Sequence, residues 1–239
     1  MQSRNKVMQV WDSEAIRFMQ DASEFGDYHE KLARILLPYL PRNGHVCDAG
    51  CGLGYLSLVL ARYCREVTAV DISVPAISAL REQILPDNLH VCCQDITQMS
   101  GSYDAMVFCY FGRTSEILKI AKKQCRGKVV IVKRNCEEHR FSLGQVPIGH
   151  TVGRTLQELD ERHIPYDSRP ITLEFGQPFR SASDALKFFE LYNKSTEPIQ
   201  EEQVYSQLIS LGHPEFPLYL PSERKMELIT LNACDIPEG

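Results

Sequence analysis

No apolar run in this 239-residue chain approaches the ~18 residues that a membrane-crossing helix needs, so a membrane-spanning role is set aside. Neither sign of charge accumulates. Twenty-six Lys and Arg stand against 31 Asp and Glu, a net charge of -5, and no global field draws such a chain to nucleic acid or to an anionic membrane. Cys-x-x-Cys does not occur, and the nine cysteines are odd in number. Several sit inside apolar runs, as in Val91-Cys92-Cys93 and Val107-Phe108-Cys109. They read as small hydrophobes kept reduced, which points to a cytoplasmic protein without a disulfide framework or a metal site. Met1-Gln-Ser-Arg-Asn-Lys has no signal-peptide core behind it. What is present is ordinary: 44% hydrophobic and 24% charged residues, enough chain for one large α/β domain, or for one domain plus a small cap.

The N-terminal part, residues 1–40, is helical in pattern and reads as a lid. Trp11, Ala15, Phe18 and Met19 share one face, and Tyr28 to Leu40 forms a second amphipathic stretch. From residue 41 onward the pattern is that of one domain. Short β-branched runs at 45–48, 66–71, 89–93, 103–110 and 127–133 alternate with helical stretches at 55–63, 73–84 and 114–124. That alternation predicts parallel β-α-β units with both faces of the sheet covered by helices. Beyond Lys133 the period loosens. A helix is expected over 151–163, strands over 171–175 and 226–231, and a helical insertion at about 180–222 made of helices at 181–192 and 199–211 with a proline-rich loop after them.

The strongest chemical signal is Val46-Cys-Asp-Ala-Gly-Cys-Gly-Leu-Gly54. Gly50, Gly52 and Gly54 follow a strand and open a helix. Glycine tolerates backbone angles that other residues resist and lets a ligand approach the main chain, and the helix start offers free N–H groups. A dinucleotide fold would need glycine at position 55, which is tyrosine. No Gly-Lys-Ser/Thr is present for a Walker loop, and Cys47-x-x-x-Cys51 has glycine at 54 where a radical iron–sulfur triad needs a third cysteine.

Asp71 ends the second strand about twenty residues past the loop, where nucleoside-binding sheets place a carboxylate against the ribose hydroxyls. The plainer reading is a helix cap, a job for which Ser73 is available. Asp95 ends the third strand in Val91-Cys-Cys-Gln-Asp95-Ile96. It could accept from an adenine amine, with Ile72 and Ile96 sandwiching the ring, or it could be a solvated turn residue. Asp48, Asp71 and Asp95 would all end at the carboxyl edge of one open sheet, where such sheets bind ligands.

Asp48-Ala-Gly-Cys-Gly-Leu-Gly54, Val70-Asp-Ile-Ser73, Gln94-Asp-Ile96 and Tyr103-Asp-Ala-Met-Val-Phe-Cys109 together resemble the motifs of class I S-adenosylmethionine-dependent methyltransferases, over about residues 45–135. The resemblance implies a Rossmann-like, seven-stranded, mostly parallel sheet with helices on both faces, its last strand antiparallel, and helical cap elements. It implies S-adenosyl-L-methionine as cofactor. The loop residues Asp48, Gly50, Cys51, Gly52 and Gly54 would face the methionine part, Asp71 would hold the ribose, and Asp95 would sit near the adenine amine, between Ile72 and Ile96. Cys109 and Tyr110 would line the sulfonium side. Asn-Pro-Pro-Tyr is missing after the fourth strand, which counts against DNA-adenine methylation.

Alignment of a nucleophile with an already activated methyl group can lower a barrier by ~7–11 kcal/mol, so a general base is optional. Tyr28, His29, Tyr110, His139 and His150 are candidates, each with an ordinary structural role as the alternative. Aromatic lid residues such as Trp11, Phe18, Phe25 and Tyr28 suit a small-molecule acceptor, although helical spacing explains Trp11 and Phe18 as core. An RNA or protein acceptor would require an open crevice with a basic rim, from Arg134, Arg140, Arg154 and Arg180. A nucleoside-binding protein without transferase activity, or a nicotinamide oxidoreductase, is the third class. Acceptor atom and oligomeric state have no signature in the sequence.

Overall fold

Period-two alternation places each strand between two apolar layers. In β4 (Tyr103–Cys109) Ala105 and Val107 face one cluster of buried side chains, while Met106 and Phe108 face the other. The same division holds in β1 (His45–Ala49), where Val46 and Cys47 point to opposite clusters. A strand buried on both faces belongs inside a parallel sheet covered by helices. The computed structural model, which describes residues 11–136, 138–139, 141–143, 146–147 and 152–238, has that sheet.

Five strands run parallel: β1, β2 (Glu66–Asp71), β3 (Leu89–Cys93), β4 and β5 (Cys125–Arg134). With β6 (Asp167–Glu174) and β10 (Glu223–Asn232) they form a seven-stranded sheet in the order β3-β2-β1-β4-β5-β10-β6. The last strand, β10, is antiparallel to both of its neighbours. Helices α2 (Tyr28–Leu36), α3 (Tyr55–Ala61) and α4 (Val74–Arg81) cover one face through Leu32, Leu36, Leu60, Ile77 and Leu80. Helices α5 (Thr114–Gln124) and α6 (Val152–Glu161) cover the other through Ile117, Ala121 and Leu159. The order reverses between β1 and β4, which opens a crevice at their carboxyl ends.

Two expectations change in the peripheral parts. Trp11 is not on the first helix. Asp12 caps α1 (Ser13–Phe25) by accepting from the Ala15 N–H at 2.8 Å, so the helix starts after the tryptophan. The segment 180–222 is not all helix. It holds α7 (Ala182–Tyr192) and a short α8 (Glu201–Tyr205), while β8 (Ile209–Ser210) and β9 (Leu218–Leu220) pair with β7 (Gln177–Phe179) in a small sheet. Val204 is the single buried residue of α8. A continuous helix to 211 has no second buried row to hold it, and pairing with β9 captures the chain instead.

The helix α1 docks on this second unit. Phe18 is fully buried against Phe179 and Phe188, edge-to-face at 6.2 and 5.1 Å. Gln177 donates to the Phe18 carbonyl at 3.1 Å. Around this core Arg17 pairs with Asp184 at 2.7 Å, Arg180 pairs with Asp21 and with Glu215, and Asp184 also accepts from the Arg180 N–H. Asp21 and Asp184 are nearly buried, so removing one partner strands a charge, which for fully buried pairs costs about 3–5 kcal/mol. Arg17 is partly exposed, so Asp184→Ala is expected to lower stability by about 2–3 kcal/mol, measured by urea unfolding. A loss under about 0.5 kcal/mol, the level of an exposed pair, would reduce the network to surface decoration.

Candidate active site

The loop after β1 closes by backbone bonds to the neighbouring strand. The N–H groups of Gly50 and Cys51 both donate to the Val70 carbonyl, at 2.7 and 3.0 Å, and Gly54 N–H donates back to Cys51 at 2.9 Å. Gly50, Gly52 and Gly54 all have positive φ, at 76°, 55° and 73°, the region that side-chain-bearing residues avoid. Space is also short. A Cβ on Gly54 would overlap the Leu80 methyls, one of them at 2.5 Å, and a Cβ on Gly52 would lie 3.1 Å from the Trp11 ring.

Asp71 ties this loop to the end of β2. One carboxylate oxygen accepts from the Gly52 N–H at 2.9 Å and the other from the Ser73 N–H at 2.8 Å. Ser73 in turn caps α4. Sequence reasoning read Asp71 toward a ligand and did not see that it braces the loop. The two functions are compatible, because a carboxylate has about four lone-pair sites and two are used here. Asp48 lies lower. It is 1% exposed and accepts from the Ser57 hydroxyl at 2.6 Å, fastening β1 to the first turn of α3. Burial pushes its carboxyl up to about 6, partly offset by the Ser57 bond and reinforced by the charge of Asp71.

Asp95 caps a 3-10 turn over Ile96–Gln98, accepting from the Thr97 N–H at 2.9 Å and the Thr97 hydroxyl at 2.7 Å. Of the two proposed sandwiching residues, Ile72 is 45% exposed, while Ile96 is 4% exposed within the core. Cys51 lies within the loop and Cys109 at the end of β4, and burial raises both thiols, Cys109 to about 12. Such thiols are protonated at neutral pH and are poor nucleophiles.

The candidate bases fall into two places. Tyr28, His29 and Tyr110 come together: the Tyr28 and Tyr110 hydroxyls are 3.0 Å apart, Tyr28 also donates to the Met226 sulfur at 3.2 Å, and the rings of Tyr28 and His29 meet edge-to-face at 5.0 Å. Burial raises both phenols, so both are neutral. Tyr110 carries positive φ (55°), an uncommon backbone angle for a bulky residue. Burial, then the charge of Arg224, lowers His29 to about 3, and its Nδ1 is buried without a hydrogen-bond partner. His139 lies apart, in the segment after β5, hydrogen-bonded to Ser142 at 3.0 Å. His150 and Arg140 lie outside the described residues.

His29 has a measurable consequence. Its folded pKa lies below the unfolded value of about 6.5, so the unfolded chain binds the extra proton first. The stability this contributes is whole above pH 6.5 and is lost as pH falls toward about 3. The urea midpoint of the wild type is expected to fall more steeply over this window than that of His29→Phe. Parallel curves would mean that His29 is not buried neutral.

Sequence reasoning missed three neighbours. Phe111 packs against Gly50, and Lys133 holds that turn by donating to the carbonyls of Phe111 and Gly112 at 2.7 and 2.6 Å. Burial lowers Lys133 to about 8. Arg224 sits in the polar run Pro221-Ser-Glu-Arg-Lys225, which reads as loop until β10 pairs with β6.

The sheet order, the switch between β1 and β4 and the braced glycine loop define an α/β protein with a crevice at the carboxyl edge of its sheet. Residues 46–126 match the family model of a methyltransferase domain. The "Putative methyltransferase YqeM" of Bacillus subtilis (strain 168) is 32% identical over 74 residues, covering 29% of this chain and 30% of that protein. The chain therefore matches less than a third of that curated relative's length. Geranyl diphosphate C-methyltransferase from Streptomyces coelicolor A3(2), solved with Mg2+, geranyl diphosphate and S-adenosyl-L-homocysteine, superposes with TM-score 0.52 at 14% identity, over 93% of this chain and 84% of that one. Magnesium protoporphyrin IX methyltransferase from Synechocystis PCC 6803, solved with S-adenosylhomocysteine, does so with TM-score 0.50 at 16% identity, over 93% and 89%. Identities this low carry the fold alone. Residues 46–126 thus carry a methyltransferase domain, on a fold shared with these solved methyltransferases.

Proposed function

We propose that this chain transfers a methyl group from S-adenosylmethionine to an O, N or C atom of a small molecule. The observation that carries the reading is the glycine loop braced by Asp71 at the carboxyl edge of the sheet, beside an exposed Ile72. Positive-φ glycines with little room for a side chain fit a main-chain cradle for the cofactor's methionine end. The free lone pairs of Asp71 suit its ribose. When bound, the cofactor supplies a methyl group activated on a sulfonium.

The chain's own groups act by placing the acceptor. The neutral phenols of Tyr28 and Tyr110 can orient it by hydrogen bonds, and His29 is too weakly basic to draw a proton at neutral pH. Positioning of the acceptor therefore carries the rate.

Enclosure supports a small acceptor. Trp11 covers Gly52, and α1 is clamped to the unit around α7. Of the four arginines that a basic rim for RNA would use, Arg180 is consumed by Asp21 and Glu215. The test is to incubate the protein with methyl-labelled S-adenosylmethionine and a cell extract separated into small-molecule, RNA and protein fractions. Label is expected in the small-molecule fraction. Label confined to RNA or protein would overturn the choice of acceptor.

A further inference from the structure

The carboxyl edge of the sheet is divided by charge. The half made by β1, β2 and β3 presents Asp71 and Asp95, with Asp48 buried beneath them. The half made by β4, β5, β10 and β6 presents Tyr110, Arg134, Arg224 and Phe175. Arg224 is partly buried in a ring of aromatics. Its guanidinium carbon lies 4.1 Å from the Phe175 centroid, 5.2 Å from that of Tyr28 and 5.3 Å from that of Tyr110. Arg134, at the end of β5, places a second guanidinium 5.4 Å from the same Tyr110 ring.

Among the described residues neither arginine makes an ion pair. The acids of β6 and β10 beside Arg224 are engaged or face away. Glu174 accepts from Tyr219, and Glu227 accepts from Asn135 and Ser168. Glu223 alternates to the opposite face of β10 from Arg224. Two guanidinium groups thus meet at one ring with no carboxylate between them. Aromatic faces attract such cations but do not neutralise them, and an unpaired cation withdrawn from water is costly. The pocket also holds an unanswered polar atom, His29 Nδ1, buried and without a partner.

We infer that this half of the crevice binds an oxyanion, a carboxylate or a phosphate group, on the planar guanidinium of Arg224 with Arg134 at its rim. Planar forks of N–H donors match either anion in two-point geometry, and the rings of Phe175 and Tyr28 would flank the body that carries it. That the anion belongs to the methyl acceptor rests on the proposed transferase reading. The anion site itself does not.

The test uses two aromatic anions of similar shape, benzoate and phenyl phosphate, with neutral benzamide as control, titrated calorimetrically at fixed ionic strength into protein with and without S-adenosylhomocysteine. At least one anion is expected to bind tenfold or more tightly than benzamide. Arg224→Met should abolish that difference and Arg224→Lys should keep part of it. Preference for phenyl phosphate assigns a phosphoryl acceptor, and preference for benzoate a carboxylic one. Should Arg224→Met fail to fold, judged by its thermal melt, Arg134→Met is read instead, with a several-fold loss expected. Equal binding of anions and benzamide, or anion binding unchanged in the folded variants, would overturn the inference. If S-adenosylhomocysteine binds and the anions do not, this inference alone fails. If the anions bind and S-adenosylhomocysteine does not, the transferase reading fails and the anion site stands.

Discussion

Replacing Gly54 with alanine is expected to abolish cofactor binding and to cost about 3–4 kcal/mol of stability, from two sources. The residue has φ 73°, and the left-handed region costs a side-chain-bearing residue about 1–2 kcal/mol. The new methyl also overlaps Leu80, which is fully buried against α3 and β2 and has little room to move; overpacking of this kind costs about 1–3 kcal/mol. Movement of Gly54 carries the loop with it, because its N–H donates to Cys51 within the same turn. Gly212→Ala is the matched control, since nothing lies within 4 Å of a Cβ there. Urea unfolding and S-adenosylhomocysteine titration of both variants read the effect. A Gly54→Ala protein as stable as the control, with intact binding, would show that the turn is not under constraint.

Asp71→Ala is expected to weaken S-adenosylhomocysteine binding at least tenfold and to lower stability by about 2–4 kcal/mol. Two backbone N–H groups, of Gly52 and Ser73, lose a charged acceptor, and bonds to charged groups are worth about 1.5–3 kcal/mol each. The ribose contact is lost as well. Asp71→Asn separates the two contributions. It keeps one acceptor oxygen for the loop, so stability should largely return, while its amide offers the ribose less. Unchanged affinity in both variants would remove Asp71 from the site.

The folding logic was most legible where periodicity and burial coincide. Runs such as Val67-Thr-Ala-Val70, with helices between, predict the parallel sheet because every position in them is buried on one face or the other. The loop's glycines were legible because side-chain-bearing residues adopt their backbone angles only at a cost. What escaped depended on partners far along the chain. The strands of the small sheet are two or three residues long, too short to show a period. The bracing role of Asp71 is set by where the Gly52 N–H comes to lie. Arg224 becomes a site residue only once β10 pairs with Leu173 of β6 and brings Phe175 beside it. Ile96 reads as one side of an adenine sandwich, yet Gln124 of α5 closes over its carbonyl at 2.8 Å and its side chain joins the core.

The central claim is that the loop at Asp48–Gly54 holds S-adenosylmethionine and not a dinucleotide. Calorimetric titration of the wild-type protein with S-adenosylhomocysteine and, separately, with NAD tests it most directly. The account predicts saturable one-to-one binding of S-adenosylhomocysteine and none of NAD. Binding of NAD without S-adenosylhomocysteine would contradict it.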